Sequence, residues 1–90
     1  MKNSNTTIID VRSEGEFAMG HAQDALNIPL NEVESRVDEI SKIGGEIVLC
    51  CASGNWSGMA QQILESKGIE CHNGGSWFAA ENYALALWAF

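Results

Sequence analysis

The stretch Ile47-Val48-Leu49-Cys50-Cys51-Ala52-Ser53-Gly54-Asn55-Trp56-Ser57-Gly58 decides how this chain is read. An apolar run with β-branched residues ends at a cysteine, a loop of small residues follows, and Ser57 stands where a helix opens. A thiol held over a ring of backbone N–H groups and aimed at a helix N-terminus sits in positive potential, which lowers its pKa and favours the thiolate. Cys51 has that position. Cys50 instead reads as a buried core cysteine, because side chains alternate across an extended strand. Gly54 admits a positive φ and close backbone approach, and Ala52 and Ser53 leave room above the sulfur.

Working outward, Thr6-Thr7-Ile8-Ile9-Asp10-Val11 reads as a buried strand after a short polar tail, residues 1–5. Ser13 with Glu16 three residues later is a capping box that starts a short helix ending near Gly20. Ala25-Leu26-Asn27-Ile28 is a second strand, stopped by Pro29. Leu30, Val33, Val37, Ile40 and Ile43 recur at helical steps and predict one helix up to Gly44-Gly45. Beyond Cys51, Ser57 is expected to cap a helix with Met59, Ala60, Ile63 and Leu64 inward, ended by Gly68. Ile69-Glu70-Cys71-His72 reads as a fourth strand, Gly74-Gly75 as a turn, and 76–90 as a packing helix whose inner stripe is Trp77, Ala80, Tyr83, Ala84, Leu87 and Trp88. Alternating strands and helices imply an α/β fold, a mostly parallel sheet of four to five short strands with helices on both faces. Ligands of such folds bind beyond the carboxyl ends of the strands, where Arg12, Cys51 and Asn73-Gly74-Gly75 converge.

Ninety residues make a single domain, 1–90. With 46% hydrophobic and 19% charged residues the composition is globular, and no run approaches the ~20 apolar residues of a membrane span. A net charge of −7 with five basic residues repels phosphate backbones and anionic membrane surfaces, so neither nucleic acid nor membrane is expected as a partner. Three cysteines, two of them adjacent, do not make a disulfide framework and point to a reducing, cytoplasmic setting. A periplasmic one stays open if an export signal has been removed. Cys50, Cys51, Cys71 and His72 lack zinc-site spacing, so no metal and no cofactor are expected. Cys71 would resolve an oxidised Cys51 if the fourth strand brings it near.

Ile9-Asp10-Val11-Arg12, Glu16-Phe17, Gly20-His21, Ala25-Leu26-Asn27-Ile28-Pro29-Leu30, Cys51-x-x-Gly54-x-x-Ser57 and Gly74-Gly75-x-Trp77 follow one another as in the single-domain rhodaneses, which the chain resembles from Ile8 to about Trp77. The resemblance implies a rhodanese-like three-layer domain and a sulfurtransferase. Cys51 would accept sulfane sulfur from thiosulfate or a persulfide donor and pass it to cyanide or to a thiol of thioredoxin or glutathione type, in a monomer. It further implies that Ala52, Ser53, Gly54, Asn55, Trp56 and Ser57 form the substrate cradle. Asp10 and Arg12 would brace the crevice, and His21 would be a structural hydrogen-bonding residue. A cradle of N–H groups suits this chemistry independently, since the outer sulfur of a persulfide is negative.

The loop departs from the commonest pattern of these proteins in carrying no arginine, with Asn55 and Trp56 in its second half. Thiosulfate would lose a charge-assisted partner there, so weak thiosulfate affinity and a preference for persulfide donors are expected. Trp56 either walls the pocket or covers the helix. Phosphatases and arsenate reductases of related fold need a seven-residue loop ending in arginine, which is missing whether counted from Cys50 or Cys51. The rival from another class is a non-catalytic rhodanese-like module that binds a partner or senses sulfur or redox status.

Overall fold

The β-branched runs form the centre of the molecule. In a computed structural model describing residues 5–88, with side chains as far as Leu85, strands Thr6–Asp10 (β1), Leu26–Asn27 (β2), Glu46–Cys51 (β3) and His72–Ser76 (β4) make one sheet. The order is β2-β1-β3-β4 and all pairs are parallel, as right-handed strand–helix–strand crossovers require. The helices are Glu14–Ala18 (α1), Leu30–Val33 (α2), Val37–Ser41 (α3), Asn55–Ser66 (α4) and Trp77–Trp88 (α5). Residues 1–4 of the polar tail and the side chains of Leu87 and Trp88 lie outside what is described.

Alternation along the strands divides the core in two. Ile9, Ile47, Leu49 and Cys51 join Val33 and Ile40 of α2 and α3 and Ala60 and Leu64 of α4 on one face. Ile8, Val48 and Cys50 join Ala80 of α5 on the other, with Trp77 and Ala84 packed against them. Both faces are thus covered, which is why successive residues Ile8 and Ile9 of β1 and Ile47 to Cys51 of β3 are all apolar and buried. Ser13 caps α1 through the expected capping box with Glu16.

Four local expectations are corrected. The helix expected from Leu30 onward is interrupted by a 3-10 turn, Glu34–Arg36, where Arg36 (φ −112°, ψ 21°) leaves helical geometry. The apolar steps did not reveal this, because a three-residue step fits either helix type. Ser57 does not cap α4. The helix starts two residues earlier behind Gly54, whose left-handed backbone (φ 104°) turns the chain into it. Met59 faces out rather than in, at 53% exposure, and Tyr83 is 38% exposed, its hydroxyl 3.4 Å from His72 Nδ1.

The fourth correction concerns β4, which begins at His72 and runs through the two glycines expected to turn. Leu49 pairs with Asn73 but Cys51 with Ser76, so β4 carries an extra residue in a bulge with Gly75 at φ 82°. Glycine is needed there because the strand passes close to its neighbours. A Cβ on Gly74 would stand 2.6 Å from Val48 Cγ1 and 3.2 Å from the Leu49 carbonyl oxygen. Gly74→Ala is therefore expected to lower the unfolding free energy by about 1–3 kcal/mol. Urea unfolding monitored by tryptophan fluorescence tests this, and a change near zero would contradict the close packing described.

Candidate active site

Cys51 is the last residue of β3 and only 2% exposed. Its Sγ accepts the N–H of Gly54 at 2.9 Å and the N–H of Ser57 at 3.4 Å, and Ser57 Oγ lies 3.5 Å away. Burial disfavours the thiolate, but the Ser57 hydroxyl and the N–H groups of Ser57, Gly54 and Ser53 outweigh it and hold the Cys51 pKa below the ordinary thiol value. Of the six residues 52–57 expected to form a cradle, Gly54 and Ser57 place their N–H groups within hydrogen-bond distance of the sulfur. Ala52, Ser53, Asn55 and Trp56 are exposed and, with Arg12, Glu16 and Cys51, line a pocket of about 130 Å³ over the sulfur. Trp56, for which two roles were weighed, is among the residues that line the pocket.

Arg12 follows β1 and is 6% exposed. Its Nε donates to both oxygens of Asp10 (3.0 and 3.1 Å) and its Nη2 to Asp10 Oδ2 and to the Gly20 carbonyl oxygen, both at 2.7 Å. The hydrogen bond to Asp10 is the main reason the guanidinium pKa is raised. Trp77 lies beneath the guanidinium, 5.1 Å from Cζ to the ring centroid. Asp10 and Arg12 thus form a buried, charge-neutral brace beside the pocket. His21 stands apart from the pocket lining. It stacks on Phe17 at 3.7 Å, and its Nδ1–H donates to the Phe17 carbonyl oxygen at 2.7 Å, fastening the end of α1.

Burial shifts the neighbouring thiols the opposite way from Cys51. Cys50 points to the α5 face, and burial together with the Asp10 charge pushes its thiol up to about 12. Burial raises Cys71 to about 11. The register pairs Val48 with His72, so Cys71 falls beside the start of β3, about 13 Å along the strand from Cys51 at roughly 3.3 Å per residue. That distance removes Cys71 as a resolving thiol.

Two residues named in the sequence have roles at the site that their spacing did not reveal. The Asn73 side chain ties β4 to the loop: Nδ2 donates to the Gly54 carbonyl oxygen (3.1 Å), while Oδ1 accepts Ser57 Oγ–H (2.7 Å) and Gly75 N–H (3.0 Å). An asparagine inside a strand, where this residue is depleted, was the available signal. Glu16 was read as a helix cap and as part of the Glu16-Phe17 motif, and it also lines the pocket.

Residues 1–82 match the family described as Rhodanese-like domain. The chain is 36% identical over 61 residues to the thiosulfate sulfurtransferase PspE of Escherichia coli, covering 67% of this chain and 59% of that protein. It is 34% identical over 68 residues to the putative sulfur carrier protein YrkF of Bacillus subtilis, covering 76% of this chain and 36% of that one. Among solved structures, a rhodanese with anions from E. coli superposes with a TM-score of 0.73 at 32% identity, covering 82% of this chain and 89% of that one. The chain thus spans about a third of YrkF and under two thirds of PspE.

Because the Cys51 pKa is depressed, its alkylation should set in at lower pH than that of an ordinary thiol. Ser57→Ala removes a hydroxyl whose one proton can turn from Asn73 Oδ1 (2.7 Å) toward the thiolate (3.5 Å), and it is expected to move the inflection upward. Iodoacetamide labelling at stepped pH with peptide mapping reads this. Labelling of Cys50 or Cys71 ahead of Cys51 would contradict the assignment.

Proposed function

The chain belongs to the rhodanese-like domain family, and from that premise we propose that it is a sulfurtransferase that carries sulfane sulfur as a persulfide on Cys51. The observation that carries this reading is the sulfur of Cys51 held by the N–H groups of Gly54 and Ser57 beneath an open pocket. With thiosulfate, the thiolate attacks the outer sulfur; the Sγ–S bond forms, the S–S bond of the donor breaks, and its electron pair leaves with sulfite. A thiolate or cyanide then attacks the outer sulfur of the persulfide and frees the Cys51 thiolate. Splitting the transfer into two displacements is the gain of covalent catalysis, and the N–H cradle stabilises the negative sulfur in both.

Ala52, Ser53, Asn55 and Trp56 would contact the donor, while Gly54 and Ser57 hold the nucleophile and Asp10, Arg12 and His21 keep the surrounding turns in place. The acceptor would be a small thiol or a thioredoxin-type protein. Three free thiols suit a reducing compartment. Arg12 is already bound to Asp10, and the loop offers no lysine or arginine, so thiosulfate has no cation dedicated to it.

Intact-mass spectrometry after incubation with thiosulfate and with a polysulfide tests the reading. One added sulfur is expected, lost in Cys51→Ser and kept in Cys50→Ser. No adduct from any donor would favour a non-catalytic binding module. Steady-state assay should give a thiosulfate KM in the millimolar range or above, and a low-micromolar KM would contradict the argument from charge.

A further inference from the structure

The pocket over Cys51 contains groups of the wrong kind for an oxyanion. Its cation, Arg12, is neutralised by the buried Asp10 carboxylate. Glu16 lines the same pocket, and its Oε1 accepts from the N–H and hydroxyl of Ser13 at 3.3 and 3.1 Å, which fixes the carboxylate at the mouth. Arg12 and Glu16 are the charged lining residues, and because Asp10, behind the lining, is paired with Arg12, the three groups together leave one negative charge, that of Glu16, facing the pocket. Trp56 adds an indole that is 48% exposed. A carboxylate and an indole around one small space recognise an ammonium group, the first by Coulomb attraction and the second by its ring quadrupole. At about 130 Å³ the pocket is also small, below the roughly 300–1,000 Å³ of drug-sized sites.

We propose that this pocket selects cationic sulfur donors, namely the persulfide of a short aminothiol whose ammonium group lies between Glu16 and Trp56 while its outer sulfur meets Cys51. The selection rests on the persulfide chemistry put forward above and names its donor class. The Cys51 thiolate attacks the outer sulfur of R–S–S–H. The new S–S bond forms as the donor's breaks, and the electron pair leaves with the inner sulfur. That thiolate takes up the proton shed by the new persulfide, so Cys51–S–S⁻ and R–SH result. Cys51 is oxidised to the persulfide level and the donor is reduced to its thiol.

Glu16 is the specificity-determining residue, and its charge can be removed while its helix cap is kept, because glutamine also serves the third position of a capping box. The test compares cysteamine persulfide with the persulfide of 3-mercaptopropionate, an anion of similar length, each formed from its disulfide and hydrosulfide, with hydrosulfide alone as control. The rate of appearance of the one-sulfur adduct on Cys51 is read by intact mass at low and high salt. The ammonium donor should load the wild-type protein roughly tenfold faster, the scale set by one exposed charge pair plus a cation–π contact. High salt should reduce that preference, and Glu16→Gln should bring it near parity. Trp56→Leu should reduce it in part. Equal rates in the wild type, or an undiminished preference in Glu16→Gln, would overturn the selection while leaving sulfur transfer standing. Absence of any adduct from either donor and from thiosulfate would overturn both.

Discussion

Negative charge on a sulfur atom withdrawn from water is favoured here by backbone N–H groups, and not by a cation. Gly54 and Ser57 donate to Cys51 Sγ from the start of α4 at 2.9 and 3.4 Å. Desolvating an isolated anion costs several kcal/mol, so a 2%-exposed thiolate with nothing donating to it would stay protonated. Preoriented N–H dipoles remove that obstacle without adding a mobile charge, and under the proposed sulfur transfer they would serve equally when the negative charge moves outward onto a second sulfur. Their aim depends on one backbone angle: Gly54 at φ 104° folds the loop back over the end of β3.

That angle is held from β4. Gly75 Cα would sit 3.4 Å from a Cβ on Gly54, so the loop lies directly against the bulge of the fourth strand. Asn73 fixes the contact with three hydrogen bonds, one of them to Ser57, the residue that touches the sulfur. Gly74 lets β4 lie close enough to β3 for this to happen. The nucleophile belongs to β3 and α4, but its geometry is maintained by a strand that contributes no atom to the thiol's hydrogen bonds.

Features encoded within a few residues of one another were legible in the sequence. The Ser13–Glu16 capping box, the apolar runs of β1 and β3, and the opposite facing of Cys50 and Cys51 follow from local spacing alone. What was not legible depends on how separate elements meet. A glycine pair signals a turn and a strand bulge alike, and only the proximity of Val48 and Ala80 makes Gly74-Gly75 the latter. A serine after a loop looks like a cap until a left-handed glycine takes that place and Asn73 draws its hydroxyl away. Glu16 is a pocket residue only because α1 follows β1 at the end of the sheet where Cys51 lies.

Asp10 links the inert thiol to the reactive one. Behind the sheet its charge helps burial to push Cys50 up to about 12, while the neighbouring Cys51 is shifted the opposite way. Beside the pocket the same carboxylate binds Arg12 at 2.7 Å and cancels the cation that would draw an anion toward Cys51. Removing Asp10 would therefore alter two properties at once, the selectivity between neighbouring thiols and the sign of the field over the reactive one. Under the selection proposed above, a residue that no donor touches would thus help to set the charge of the donor that the site admits.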